Sequence, residues 1–201
     1  KSFVSYNLAK SYSALGKKVL IVGADLRNPQ LHKFIDQKRE NRGLTTYLSN
    51  ENFTDIDSLI TKATTDGDLD YLLTGAIPPN PSELLMRPRT KELLEVLKQS
   101  YDFIIIDSAP LLLVSDTTAI LPICDSVVYV TRSQYSDKKL FSFILDMQQR
   151  ENVPPFAMVL NGMRAGANNG YNYGYKYRYS YGYTYNYGYG YGYGSDSETE
   201  S

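Results

Sequence analysis

Four short stretches hold residues whose types and spacing suit chemistry on phosphate. The chain opens on Lys1-Ser2, directly before a segment with helical periodicity. In a phosphate-binding loop, backbone amides wrap the phosphates, a lysine reaches the β and γ oxygens, and a serine or threonine hydroxyl binds magnesium. Lys1-Ser2 would be the last two residues of G-x-x-x-x-G-K-S/T. The glycines of that pattern are absent, so the expectation is a chain that starts partway through the loop. The plain alternative is a solvated N-terminus. In VLIVGADLRNPQLH, residues 19–32, an apolar run gives way to Asp25 and Arg27. Ligands of open α/β sheets sit outside the carboxyl ends of the strands, where Asp25 would face a magnesium-bound nucleotide. The alternative makes Asp25 the start of a turn and Arg27 its ion-pair partner.

The third stretch is YDFIIIDSAP, residues 101–110, where four apolar residues lead into Asp107. A strand-end acid there can hold a magnesium-bound water, and Pro110 limits where the chain goes next. The fourth is VLNGM, residues 159–163. The amide of Asn161 offers both a donor and an acceptor to an adenine edge, whereas Asn-Gly is also an ordinary turn pair. Both readings of Asn161 stay open.

These residues need a frame. Val4, Leu8, Ala9, Tyr12 and Leu15 fall at helical spacing, and Gly16 can end that helix. KVLIV (18–22) suits a strand buried on both faces, and LDYLL (69–73) a weaker one. Pro81-Ser82-Glu83 marks a helix start, with the helix running through Arg89 to Gln99. FIII (103–106) is the clearest buried strand, SVVYV (126–130) and FAMVL (156–160) supply two more, and residues 137–150 lie between them as an amphipathic helix. Strands separated by helices imply parallel strands with right-handed crossovers. The expected fold class is α/β, a mostly parallel sheet with helices on both faces.

Composition narrows the function. Lysine and arginine total 21 against 22 acids, a net charge of -1, so bulk charge gives no grip on nucleic acid and no nucleic-acid partner is expected. One cysteine, Cys124, excludes an internal disulfide or a multi-cysteine zinc site; one histidine, His32, excludes a histidine-cluster metal site. No apolar run approaches the roughly 18 residues that cross a bilayer. Tyrosine is the anomaly. Of 19, twelve occupy every second position at Tyr171, Tyr173, Tyr175, Tyr177, Tyr179, Tyr181, Tyr183, Tyr185, Tyr187, Tyr189, Tyr191 and Tyr193. Glycine is frequent between them, no aliphatic residue interrupts them, and an acidic end follows at Asp196, Glu198 and Glu200. Such a stretch has too little apolar surface to offset its ordering entropy. The expected organisation is therefore a domain over 1–162 and a flexible tyrosine-rich tail over 163–201.

Taken together, Lys1-Ser2, Asp25-Leu26-Arg27, GAIPPNPSELL (75–85), FIIIDSAP (103–110) and the tyrosine-rich end resemble the bacterial tyrosine kinases of exopolysaccharide and capsule assembly. That family is similar to the MinD/ParA branch of P-loop ATPases. The resemblance implies ATP and Mg2+ as cofactors, with Lys1 binding phosphate, Ser2 as the magnesium-binding hydroxyl, and Asp107 as the acid of the third nucleotide motif. It matches Asp25 and Arg27 to the second acid and the arginine of an apolar-D-x-D-x-R motif, in which Gly23 stands where the family usually has its first aspartate. Implied partners are other copies of the chain in a ring-like or other homo-oligomer, a membrane-embedded activator segment or subunit, and the polysaccharide export machinery. The family's membrane-spanning and extracytoplasmic parts are missing, so the chain is expected to be a soluble fragment from the cytoplasmic face of the bacterial inner membrane.

The expected activity is ATP-dependent phosphorylation of the tail tyrosines, with Lys1, Asp25 and Arg27 as catalytic residues. Lys1, Ser2 and Asn161 are expected to bind the nucleotide, and Ser2, Asp25 and Asp107 the metal. A tyrosine hydroxyl titrates near pH 10, so a nearby acid has to accept its proton; Asp25 suits this better than Asp107, which the metal occupies. Two alternatives stand beside it: a MinD/ParA-like ATPase switch, and a non-enzymatic scaffold carrying a Tyr/Gly segment.

Overall fold

The computed structural model describes residues 1–35, 40–62, 68–111, 116–137, 139–149 and 153–163. The twelve tyrosines at 171–193 and all of the expected tail beyond Met163 lie outside the described residues. The periodic N-terminal segment forms α1, Ser2–Ala14, and Gly16, with φ of +75°, ends it by donating its N–H to the Ser13 carbonyl. Then follow β1 (Val19–Ala24), α2 (Leu44–Ser49), β2 (Ile60–Thr61), β3 (Leu69–Leu72), α3 (Pro81–Met86), α4 (Pro88–Leu97), β4 (Phe103–Ser108), α5 (Asp116–Ile120), β5 (Val127–Arg132), α6 (Lys139–Gln148) and β6 (Phe156–Asn161). All of these belong to one compact unit, Lys1–Met163.

The strands form two sheets: a four-stranded one ordered β2-β3-β1-β4 and a two-stranded one of β5 and β6. β1 runs parallel to both β3 and β4, and β5 is parallel to β6; among the described residues only the β2–β3 pair is antiparallel. Every residue of β1 is buried, which matches its unbroken apolar run. Leu20, Val22 and Ala24 pack with residues of α2, α3 and α4, such as Leu48, Leu84, Leu93 and Leu97. Val19 and Ile21 point to the other face, against Ala9 of α1 and Leu31. Helices thus cover both faces of the larger sheet, and the α/β expectation holds. Burying Val19, Leu20, Ile21 and Val22 contributes about 1.5–3 kcal/mol each.

Three expectations need correction. The single helix from Pro81 to Gln99 is two helices: Arg87 is extended, with φ of -64° and ψ of 144°, because the proline ring at 88 disfavours helical backbone before it. In FIII, Phe103 is exposed and Ile104, Ile105 and Ile106 are half-buried rather than buried, because among the described residues β4 is the edge of its sheet, next to β1. Among the described residues the strands expected to form one sheet are divided between two.

Candidate active site

Lys1 is the N-cap of α1, and its carbonyl accepts the N–H groups of Val4 and Ser5 at 2.8 and 3.0 Å. The amino end of a 13-residue helix thus lies beside the lysine, a place where backbone dipoles favour anions. Parallel pairing supplies the acids. β1 and β4 run in register with Gly23 opposite Asp107 and Ala24 opposite Ser108, so Asp25, the next residue, leaves the sheet beside Asp107.

The side chains converge. Ser2 Oγ donates to Asp107 Oδ2 at 2.6 Å, and Ser5 Oγ donates to Asp107 Oδ1 at 3.1 Å. Lys1 Nζ stands 3.5 Å from Asp25 Oδ2 and 3.8 Å from Asp107 Oδ1. Asp25 and Asp107 are both buried. The other oxygen of Asp25 accepts the N–H of Asn28 at 3.0 Å, so Asp25 does start a turn while its second oxygen faces the lysine. The two readings of Asp25 thus describe its two oxygens.

One ammonium, two carboxylates and two serine hydroxyls make an oxygen-rich site. Hard oxygen donors of this kind fit Mg2+, which keeps most of its shell as water and phosphate oxygens. Among the described residues there is no group of three His, Cys, Asp or Glu side chains able to hold a metal by themselves. Ser2, Asp25 and Asp107 bring their side-chain oxygens together beside Lys1 Nζ.

Arg27 does not pair with Asp25. Its Nε lies 2.7 Å from Asp116 Oδ2 and its Nη2 3.1 Å from Asp116 Oδ1, a two-pronged contact. Ser82 Oγ also donates to Asp116. Burial alone would raise the Asp116 carboxyl, but the bonds from Arg27 and Ser82 outweigh it and hold it below the usual carboxylate range. The same bond to Asp116 raises the Arg27 guanidinium. Asn161 ends β6 opposite Arg132; its Oδ1 accepts the N–H of Gly162 at 2.8 Å, and Gly162 has φ of +72°. That is the geometry of the turn reading. Gly23 sits against Thr74, whose Oγ1 donates to the Gly23 carbonyl at 2.7 Å. A Cβ at 23 would lie 2.9 Å from that oxygen and 3.2 Å from the Thr74 nitrogen, so a side chain there requires Thr74 to shift.

Sequence reasoning passed over Ser5, Thr74 and Asp116. Ser5 follows Ser2 by three residues on one helix, so helical spacing could have found it. Thr74 and Asp116 carry no local signal, because each acquires its role from a segment distant in the chain.

A central parallel strand flanked by helices, with a lysine, a hydroxyl and two acids at its carboxyl end, defines a nucleotide-binding α/β domain. Residues 1–153 match the AAA domain family. The chain is 34% identical to the kinase domain of the Escherichia coli tyrosine kinase Etk, with a TM-score of 0.76 over 88% of this chain and 68% of that one. A solved chimeric protein, CapA2B2, is 33% identical, with a TM-score of 0.66 over 78% of this chain and 69% of that one. MinD of Pyrococcus horikoshii, 20% identical with a TM-score of 0.58 over 79% of this chain and 63% of that one, shares the fold. The chain belongs to the bacterial tyrosine-kinase family. It spans 23% of the length of the full Escherichia coli Etk protein, to which it is 34% identical over 172 residues.

Proposed function

We propose that the protein is an ATP-dependent protein-tyrosine kinase that phosphorylates the tyrosine cluster at 171–193 of a second copy. The convergence of Lys1, Ser2, Asp25 and Asp107 within hydrogen-bonding or ion-pairing reach carries this reading. Phosphoryl transfer asks a protein mainly for positioning and charge neutralisation. Lys1 would bind the β and γ phosphate oxygens, and Ser2, Asp25 and Asp107 would hold Mg2+, directly or through its waters. Bound magnesium would offset charge on those phosphates. An acceptor tyrosine oxygen attacks the γ-phosphorus, the bond to ADP breaks, and the phenolic proton passes to Asp25. Arg27 keeps the Asp25 segment in place, and Asn161 is a candidate contact for the adenine edge.

The twelve alternating tyrosines support the acceptor assignment, because an ATPase switch has no use for them. Each phosphate adds about -1.5 to -2 charges at pH 7, and several on alternating residues repel one another and the acidic end at Asp196, Glu198 and Glu200. Modification would then loosen a ring-like or other homo-oligomer. The implied setting is the inner face of a bacterial membrane, with a membrane-embedded activator and the machinery that polymerises and exports polysaccharide. Among the described residues no helix is long and apolar enough to cross a membrane. Incubation with ATP and magnesium followed by phosphotyrosine blotting tests the reading. The kinase gives label in the 171–193 segment, lost in Lys1→Met; ADP release without label would make the protein an ATPase switch, and neither would leave a scaffold.

A further inference from the structure

Asp116 lies outside every nucleotide motif, yet it is completely buried, and the bonds from Arg27 and Ser82 hold its carboxyl below the usual carboxylate range. Three donor contacts meet it, from Arg27 Nε, Arg27 Nη2 and Ser82 Oγ. Desolvating a carboxylate is costly unless it is fully paired, so such a group stays in place only while its partners do. What the partners are attached to matters more. Only Leu26, itself fully buried, separates Arg27 from Asp25. On the other side, Thr117, the neighbour of Asp116 in the first turn of α5, donates its Oγ1 to the carbonyl of Ala109 at 2.6 Å. Ala109 follows Asp107 by two residues. The first turn of α5 therefore grips the segment behind each of the two acids that face Lys1.

Resting on the kinase reading above, we propose that Asp116 is a positioning residue for phosphoryl transfer: with Arg27, Ser82 and Thr117 it forms a brace that sets the separation of Asp25 and Asp107. In this role Asp116 needs no contact with nucleotide or acceptor. It acts through Arg27, and it makes Arg27 a positioning residue as well. Two carboxylates that share one small cation demand a fixed spacing, so loosening the brace weakens magnesium use before it weakens nucleotide recognition.

The test compares wild type with Asp116→Asn, Arg27→Lys, Arg27→Gln and the milder Ser82→Ala. Asp116→Asn should lower kcat for tail labelling by about tenfold or more while KM for ATP changes less than about threefold, since the lost interaction acts on geometry. The magnesium concentration giving half-maximal binding of a fluorescent ADP analogue should rise severalfold in Asp116→Asn and less in Ser82→Ala. Arg27→Lys, which keeps the charge, should recover more activity than Arg27→Gln. Magnesium dependence of ADP binding needs no acceptor, so it reads the brace even if the protein labels no tyrosine. Unchanged magnesium dependence in both Asp116→Asn and Ser82→Ala would overturn the proposal. So would a loss in Asp116→Asn fully accounted for by the fraction of protein unfolded in a melt, with Ser82→Ala unaltered.

Discussion

The contact between Gly23 and Thr74 makes a quantitative prediction about the floor of the site. Gly23→Ala adds one methyl group whose carbon would start 2.9 Å from Thr74 Oγ1 and 3.2 Å from the Thr74 nitrogen. Thr74 is buried, β-branched and stiff, and its hydroxyl is committed to the Gly23 carbonyl at 2.7 Å. Turning the hydroxyl away gives up a buried hydrogen bond, about 1 kcal/mol, and the remaining approach to backbone adds overpacking of about 1–3 kcal/mol. The expected loss is therefore about 2–4 kcal/mol. At about 2–4 °C per kcal/mol for a domain of this size, the melting midpoint should fall by about 4–16 °C. Calorimetry on wild type, Gly23→Ala, Thr74→Ala and the double variant completes a cycle. Because Thr74→Ala removes the nearer obstacle but not the backbone, Gly23→Ala should be milder in that background by about 1 kcal/mol or more. Gly23→Ala melting at the wild-type temperature, or strict additivity in the cycle, would refute the steric argument. Any side chain at 23 starts from the same Cβ contact with Thr74.

Asp107→Asn retains shape but removes the charge facing Lys1 and one acceptor for the hydroxyls of Ser2 and Ser5; tail phosphorylation should drop by at least about 10², and a steady-state assay showing normal rate and magnesium dependence would contradict the assignment. Asp25→Asn should lose turnover more than binding of a fluorescent ADP analogue, whereas equal losses would leave Asp25 its metal role alone and remove the proton-acceptor role. The Asp116 carboxyl is held below its usual range, so its stabilising effect is complete above that range and lost as pH falls through the lowered value. Urea midpoints of wild type and Asp116→Asn should accordingly differ by a constant amount from about pH 7 to 5 and converge only in stronger acid, below about pH 4; convergence near neutrality would contradict the pairing.

The parts of this protein legible in its sequence are those set by contiguous residues. VLIV buries on both faces because an unbroken apolar run has no polar side to offer, and Lys1 and Ser2 stand at the start of a helix because the periodic segment follows them. Asp25 and Asp107 could be paired from the sequence because both follow apolar strands, and parallel strands bring their carboxyl ends together. Arg27 was legible as a residue but not by partner: Asp116 lies 89 positions away, and nothing near it marks it as more than a helix start. The break at Arg87 was overlooked although Pro88 announces it, because the leucines on either side continue the apolar pattern. The half-exposure of β4 depends on its place at the edge of the sheet, which apolar content alone does not encode.

Transfer between copies is the central claim, and a mixing assay tests it most directly. A Lys1→Met protein with its tyrosines intact is combined with an active protein whose twelve tyrosines at 171–193 are phenylalanine, and ATP and magnesium are added. Phosphotyrosine in the 171–193 segment of the Lys1→Met partner, located by mass spectrometry, is the predicted result. No label on that partner, at concentrations where the wild-type protein labels itself, would contradict the account.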